Sequence, residues 1–353
     1  MPSISLILAT YNRSHLLRGA LDAIAAQEDP GVPVTIIVAD NGSTDLTRAV
    51  FREVSCHARR FDWLYLHEPR PGKSFAVNAA LARATGDWLV FTDDDVRPER
   101  RWLASLTDAF STAQPDFVVG RIVPIWQAAP PAWLTPSLYG VLGVPDNGAV
   151  PCAIALGEND HVMPIGANMA VQRRIVDRLG GLRVDLGKMR GTLRTGEDHD
   201  FFLRLLHGGC RGVYAPDAAV GHIVPQGRLV RPYFRHWFHQ NGRDVATLEA
   251  SYPAHAAILL GVPRYRWREA ARHAARLLRS LATFNPEMRF RSLVRLLWFA
   301  GYVREKWFGA LDQGPAGHPV SSGRPWRETR HFHVAGPRPR DFGRTSSAAR
   351  PWR

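Results

Sequence analysis

Three consecutive carboxylates, Asp93-Asp94-Asp95, stand at the end of a short apolar run, Trp88-Leu-Val-Phe-Thr92. Adjacent aspartates repel one another and disfavour strand pairing, so positive charge must compensate them. A hard divalent cation does this with carboxylate oxygens while keeping positions open for substrate phosphates. A solvated acidic turn ahead of a helix over 99–110 is the other use of the same residues. A second acidic group lies further on, Gly196-Glu197-Asp198-His199-Asp200. The helix dipole favours acids in a first turn, which accounts for one or two of them but not for the whole cluster. A single histidine, His222, closes the late segment Pro216-Asp-Ala-Ala-Val-Gly-His222; an imidazole there is either a hydrogen-bonded ring or a metal ligand.

These groups need elements to position them. Trp88–Thr92 is aromatic and β-branched enough for a buried strand, and Pro98 opposes its continuation. Ile4–Ala9, Val34–Ala39 and Trp63–His67 read as strands of the same kind. Each stops in a polar turn before a helix: Thr10-Tyr11-Asn12-Arg13-Ser14 after the first, and Asp40-Asn41-Gly42-Ser43-Thr44-Asp45 after the second, with Ser43 or Thr44 as cap. Gly72-Lys73-Ser74 opens the third helix, which runs through Asn78. Strands alternating with helices at this spacing predict an α/β domain, a mainly parallel sheet covered on both faces. Ligands of such sheets bind outside the carboxyl ends of the strands, so Thr10 to Arg13, Asp40 and Asp93 to Asp95 should converge on one crevice. A carboxylate after the second strand suits a ribose or base, or caps its own turn; a cluster after the fourth suits a metal-bridged diphosphate. There is no G-x-G-x-x-G after the first strand, and Pro71-Gly72-Lys73-Ser74 lacks the first glycine of a Walker motif.

The formal charge of +13 resembles a nucleic-acid footprint until it is located. Residues 258–353 hold 19 Lys and Arg against 6 Asp and Glu, whereas residues 1–257 hold 26 of each. The body is neutral and the basic part is an appendage, so no nucleic acid is expected as a partner. In one predicted helix Trp267, Ala270, Ala271, Ala274, Leu277, Leu278 and Leu281 recur at helical spacing opposite Arg268, Arg272, Arg276 and Arg279; a second begins at Asn285-Pro286. Cationic amphipathic helices of this type lie on anionic lipid, or pack their apolar faces on the body. The chain divides into a body over 1–240, a basic helical region over 241–312 and a tail over 313–353 whose composition predicts disorder. Cys56, Cys152 and Cys210 are widely spaced and odd in number, which argues against a disulfide framework. With no secretory signal and no apolar run near the roughly 20 residues of a spanning helix, a cytoplasmic protein is expected, peripheral on the membrane if the basic helices bind there. The Pro-rich stretch 124–164, with Trp133 in it, is expected to lie over the site near an acceptor, the alternative being a surface insertion.

The motifs VADNGSTD, PGKSFAVNAALARATGDWLVFTDDD, PIGANMAV and GEDHDFFLRLLHGG, in that order, resemble the inverting family-2 glycosyltransferases over residues 3–240. The resemblance implies a GT-A fold, Rossmann-like, with a nucleoside-diphosphate-sugar donor (a UDP-sugar favoured), a divalent metal (Mn²⁺ or Mg²⁺), and direct displacement at the anomeric carbon. It places Thr10, Tyr11, Asn12 and Arg13 along the nucleotide and Asp40 at its base, with Lys73, Asn78, Asp93 and Asp94 in the same donor site. Asp93 and Asp95 match the outer acids of the family's D-x-D, Asp95 being the direct metal ligand and His222 completing the metal site. Gly166–Ala170 would pack under the donor sugar. By motif position Asp198 corresponds to the general base, which an acceptor hydroxyl requires because its pKa lies far above 7; Glu197 or Asp200 could instead bind the acceptor. Arg228, Arg231 and Arg235 are candidates for steadying a diphosphate. His236 before Trp237 departs from the Q/R-x-x-R-W motif of the processive synthases, which favours single-sugar transfer to a saccharide or lipid-linked acceptor in polysaccharide or glycolipid synthesis. A non-catalytic nucleotide-sugar-binding relative and a metal-dependent phosphohydrolase are the alternatives.

Overall fold

The computed structural model describes residues 2–162, 164–188, 193–252 and 256–312, the side chains of 310–312 excepted. The expected tail over 313–353 lies outside the described residues. The chain opens with β1 (Ile4–Thr10), α1 (Ser14–Ala25), β2 (Val34–Asp40), α2 (Thr47–His57), β3 (Asp62–His67), α3 (Lys73–Leu81) and β4 (Trp88–Asp93). β-branched runs make the strands, and helix faces such as Leu17, Leu21 and Ile24 of α1 are fully buried against them. Asp45, rather than Ser43 or Thr44, starts the helices. Its carboxylate accepts the Ser14 N–H at 2.9 Å and the Thr47 N–H at 3.0 Å, so one side chain serves the first residues of both α1 and α2. Burial opposes its ionisation, but the hydrogen bonds from Thr47 and Ser14 together outweigh it and pull its pKa down to about 2.

After the three acids the chain does not leave the sheet. A tight turn leads to β5 (Val96–Pro98), which pairs antiparallel with a later strand; Pro98 ends this edge strand rather than preventing it. Then come α4 (Trp102–Ala113), β6 (Phe117–Trp126), β7 (Cys152–Ile154), β8 (Met169–Gln172), α5 (Arg173–Leu179), α6 (Glu197–His207) and β9 (Gly212–Val224). Among the described residues these nine strands form one sheet in the order β3-β2-β1-β4-β8-β6-β9-β5, with β7 on β9. The β3-β2-β1-β4 half is parallel, as expected, and the β8 and β5 pairings are antiparallel. The stretch 124–164 is not a peripheral loop throughout: Leu134, Leu138, Val141, Leu142 and Val144 are buried in the main core.

β6 and β9 lose register between Gly120 and Arg121, where residues 216–218 of β9 have no partner. Backbone carbonyls stranded at such a break need donors. Asn168, fully buried, supplies them: its Nδ2 donates to Arg121 O and to Ala218 O, both at 2.8 Å, while its Oδ1 accepts the Trp102 indole N–H at 2.9 Å. The segment 166–170 therefore seals the sheet with this side chain.

The basic region is helical: α7 (Arg231–Ser251), a two-residue hairpin pair β10 (Ile258–Leu259) and β11 (Val262–Pro263), α8 (Arg264–Ala282) and α9 (Pro286–Asp312). Asn285 caps α9 through the Met288 N–H at 2.9 Å. α7 runs continuously through residue 240 and lies along α9 at backbone contact. A Cβ on Gly242 would meet Trp298 O at 2.0 Å, and one on Gly301 would meet His239 O at 2.0 Å, so both positions demand glycine. Trp133 joins this region to the body, packing edge-on against Phe234 (5.1 Å) and Phe290 (5.0 Å). Among the described residues no helix is long and apolar enough to cross a membrane. Replacing Asn168 by Ala should cost about 3 kcal/mol of stability, since three buried polar groups lose their partner at once; chemical denaturation at neutral pH measures it.

Candidate active site

Sheet register aligns the strand ends. Thr10 is opposite Asp40, Ala9 opposite Asp93, and Asp40 opposite His67, so β1 to β4 deliver their polar ends in one row. Asn12, in a left-handed conformation (φ 49°) that asparagine tolerates, bridges the first two loops. Its Oδ1 accepts the Thr44 N–H at 2.7 Å and its N–H donates to Ser43 Oγ at 2.9 Å. Buried Asp40 accepts the Ser43 N–H at 2.9 Å and the Tyr65 hydroxyl at 2.5 Å. Burial, reinforced by Asp40, pushes the Tyr65 phenol far above its ordinary range. Asp40 thus supports its own turn while standing at the end of the row. Tyr11, next after Thr10 in the chain, is half-buried.

Each of the three central acids has a basic side chain beside it. Lys73 enters α3 after Gly72, whose φ of +131° suits only glycine, and its Nζ lies 2.6 Å from Asp93 Oδ1. Thr10 Oγ1 donates to Asp94 Oδ2 at 2.8 Å, and Arg13 spans Asp94 (3.1 Å) and Asp95 (3.3 Å). His222 Nε2 lies 3.2 Å from Asp95 Oδ1, held there because Ile223 N–H bonds Asp95 O at 2.9 Å. Burial and the Asp95 charge push Asp94 up to about 6. Asp95 moves the other way: burial opposes its ionisation, but the His222 hydrogen bond and charge, with Lys188 and Arg13, hold it well below the carboxylate range. The buried Nδ1 of His222 has no hydrogen-bond partner among the described residues.

Lys73 also connects the two acidic groups. A narrow cleft is lined by Lys73, Thr92, Gly166 and Asp198, and Asp93, Asp198 and Glu197 together raise the Lys73 pKa above its ordinary value although burial opposes it. Asp198 Oδ2 accepts the Gly166 N–H at 3.0 Å; its Oδ1 accepts no hydrogen bond from the described residues. Its neighbours on α6 do other work. Asp200, fully buried, bonds Arg204 at 2.8 Å and the Tyr252 hydroxyl at 3.0 Å. Glu197 is buried beneath Gly187, where a Cβ would meet its carboxyl at 2.6 Å. Burial, then the Asp198 charge, pushes Glu197 up to about 7.

Several expected site residues are elsewhere. Asn78 uses both ends of its amide on Leu182, donating to O at 2.7 Å and accepting the N–H at 2.8 Å, because the loop after α5 needs a tie to α3. Trp133 sits in the aromatic contact already described, and Arg231 lies 5.7 Å over its ring; Arg235 is exposed on α7, and Arg228 is near enough to Lys188 for their charges to interact. Sequence reasoning missed Lys188, whose carbonyl accepts the Lys73 N–H at 3.2 Å and whose ammonium acts on Asp93 and Asp95. It also missed Asp244 on α7, which accepts the Thr195 N–H at 2.8 Å and Thr195 Oγ1 at 3.0 Å, just ahead of Glu197. Neither Asp244, one of two acids in α7, nor Lys188 was marked by a local pattern.

The family model for Glycosyl transferase family 2 matches residues 5–147. The chain is 28% identical over 228 residues to the succinoglycan biosynthesis protein ExoM of Rhizobium meliloti, spanning 64% of this chain and 68% of that one. It is 30% identical over 230 residues to the pre-mycofactocin glycosyltransferase of Mycobacterium tuberculosis, of which it covers 44%. Among solved structures, the mannosyltransferase PcManGT of Pyrobaculum calidifontis, in complex with GDP-Man and Mn²⁺, aligns over 87% of each chain with a TM-score of 0.58 at 22% identity. TarS 1-349 of S. aureus in complex with UDP-GlcNAc aligns over 93% of this chain and 99% of that one, with a TM-score of 0.50 at 14% identity. At these identities the likeness is one of fold, the GT-A arrangement.

The Glu197 carboxyl ionises near 4.5 when unshifted and keeps its proton to about 7 when folded. The folded state therefore binds the extra proton between these values, and this contribution to stability, complete below 4.5, is lost as pH rises through 7, by at most about 1.4 kcal/mol per pH unit. Glu197→Gln should flatten the fall in Tm between pH 5 and pH 8, measured by calorimetry.

Proposed function

The chain is a glycosyltransferase of family 2, and from that premise we propose that it transfers one sugar from a nucleoside-diphosphate sugar to a hydroxyl of a saccharide or lipid-linked acceptor, inverting the anomeric carbon. Polysaccharide or glycolipid synthesis is the process in which it would act. The observation that carries this reading is Asp198: one carboxylate oxygen is held by a backbone N–H and the other is unbonded among the described residues, in a cleft it shares with Lys73, whose ammonium pairs with Asp93. In the reaction Asp198 takes the proton of the acceptor hydroxyl as its oxygen bonds to C1. The bond from C1 to the diphosphate breaks with its electron pair on the leaving oxygen, and Lys73 and Arg13 offset the charge that develops. Thr10, Tyr11, Asn12 and Asp40 line the nucleotide end of the row; a UDP-sugar is the favoured donor.

The residues present fit a divalent cation that keeps most of its shell for substrate oxygens. Asp95 and His222 converge at 3.2 Å with Asp93 beside them, although the described residues contain no group of three ready-placed ligands. Mn²⁺ or Mg²⁺ held by Asp95 and His222, with Asp93 alongside, would supply Lewis-acid stabilisation of the leaving diphosphate. Titration calorimetry with UDP-, GDP- and dTDP-sugars, with and without Mn²⁺, should detect metal-dependent binding of one nucleotide class, lost in Asp95→Ala. Asp198→Asn should keep donor affinity within about threefold and lower kcat by roughly 10²–10⁴; loss of donor binding in that variant, or full turnover, would remove Asp198 from the role of base.

A further inference from the structure

The helical face expected to be uniformly apolar is divided in the fold. On α8, Trp267, Ala270, Ala274 and Leu277 are half-buried, and the helix packs on α9; Ala271, Ala275, Leu278, Leu281 and Ala282 are exposed. Leu278 is 68% exposed, Leu281 50%, and Phe284, in the turn between α8 and α9, 84%. A phenylalanine held out in a turn with φ 49° gains nothing from the protein it belongs to. Beside this apolar strip runs a second exposed strip, Arg268, Arg272, Arg276 and Arg279, at helical spacing. None of these four, nor exposed Arg289 after the turn, has an ion pair among the described residues, and residues 270–286 contain no acid. The positive field is strong enough that burial together with the charges of Arg295, Arg276, Arg272 and Arg291 pushes the His273 imidazole down to about 4.

We propose that the tip of the α8–α9 hairpin docks the protein on an anionic lipid bilayer, Phe284, Leu281 and Leu278 entering the interface and Arg272, Arg276 and Arg279 meeting lipid phosphates. Charge decides the occupant. Unpaired arginines flanking exposed apolar side chains match a surface that is anionic outside and apolar beneath, and a second copy of so cationic a face would repel. The tip belongs to the helical region whose α7 holds Thr195 ahead of Asp198, so docking would bring the cleft to a membrane-borne acceptor. The docking itself is read without donor or acceptor and stands apart from the transferase reading.

Vesicle co-sedimentation tests it with the full chain, using phosphatidylglycerol–phosphatidylcholine vesicles against pure phosphatidylcholine. The wild type should bind the anionic vesicles, more weakly as salt rises, and leave the neutral ones. Leu281→Gln with Phe284→Asn, a residue that accepts the left-handed turn, should weaken binding roughly tenfold or more. Arg272→Gln with Arg276→Gln and Arg279→Gln should weaken it about a hundredfold. All five side chains are exposed, so circular dichroism should be unchanged. Failure of the wild type to bind anionic vesicles would overturn the proposal, as would binding that survives both variants. A dimer in sedimentation velocity that disperses in the Leu281/Phe284 variant would assign the face to a second copy of the chain instead.

Discussion

Three adjacent carboxylates cannot be brought to a sheet edge and largely buried unless opposite charge comes with them, and most of this architecture follows from that constraint. The compensating groups come from three separated segments: Arg13 after β1, Lys73 at the start of α3, and His222 near the end of β9. Each pairing closes a long loop of chain onto the end of β4. An uncompensated buried carboxylate is expensive, so the ion pairs define one arrangement of these segments. They also set the field of the site, with Arg13 and Lys73 held beside the acids.

The acids of α6 illustrate how a cluster is sorted by its surroundings. Glu197 is closed off under Gly187 and favours its neutral form; Asp200 is locked by Arg204 and Tyr252; Asp198 alone combines a backbone anchor with an open oxygen. That sorting depends on the C-terminal helices, since Tyr252 and Asp244 both approach from α7 and its end. The helical region is part of the scaffold around Asp198, with α7 and α9 in backbone contact at Gly242 and Gly301. The surface of α8 and α9 is therefore joined through α7 to the segment that leads into α6.

The parallel half of the sheet, the strands that end in Thr10, Asp40 and Asp93, and the capped start of α9 were legible from the sequence. Strand runs, polar turns and an Asn-Pro cap are local signals: residue type and period determine them within a few positions. The resemblance in four ordered motifs carried the fold and the family. What sequence reading placed differently depends on partners far along the chain. Asn168 and Asn78 lie in motif segments, yet their amides go to backbone groups at a strand break and at a loop; Trp133 meets Phe234 and Phe290 from the other end of the molecule.

By itself, then, the sequence determined the strands and helices of the parallel half and the polar residues at their ends, because backbone periodicity and turn chemistry act over short distances. Only the tertiary structure decided which acid is neutralised by which cation, that Lys188 and Asp244 belong to the site's surroundings, and which side of α8 is left to solvent. Those outcomes follow from burial and charge compensation between segments many residues apart, and no local pattern encodes them.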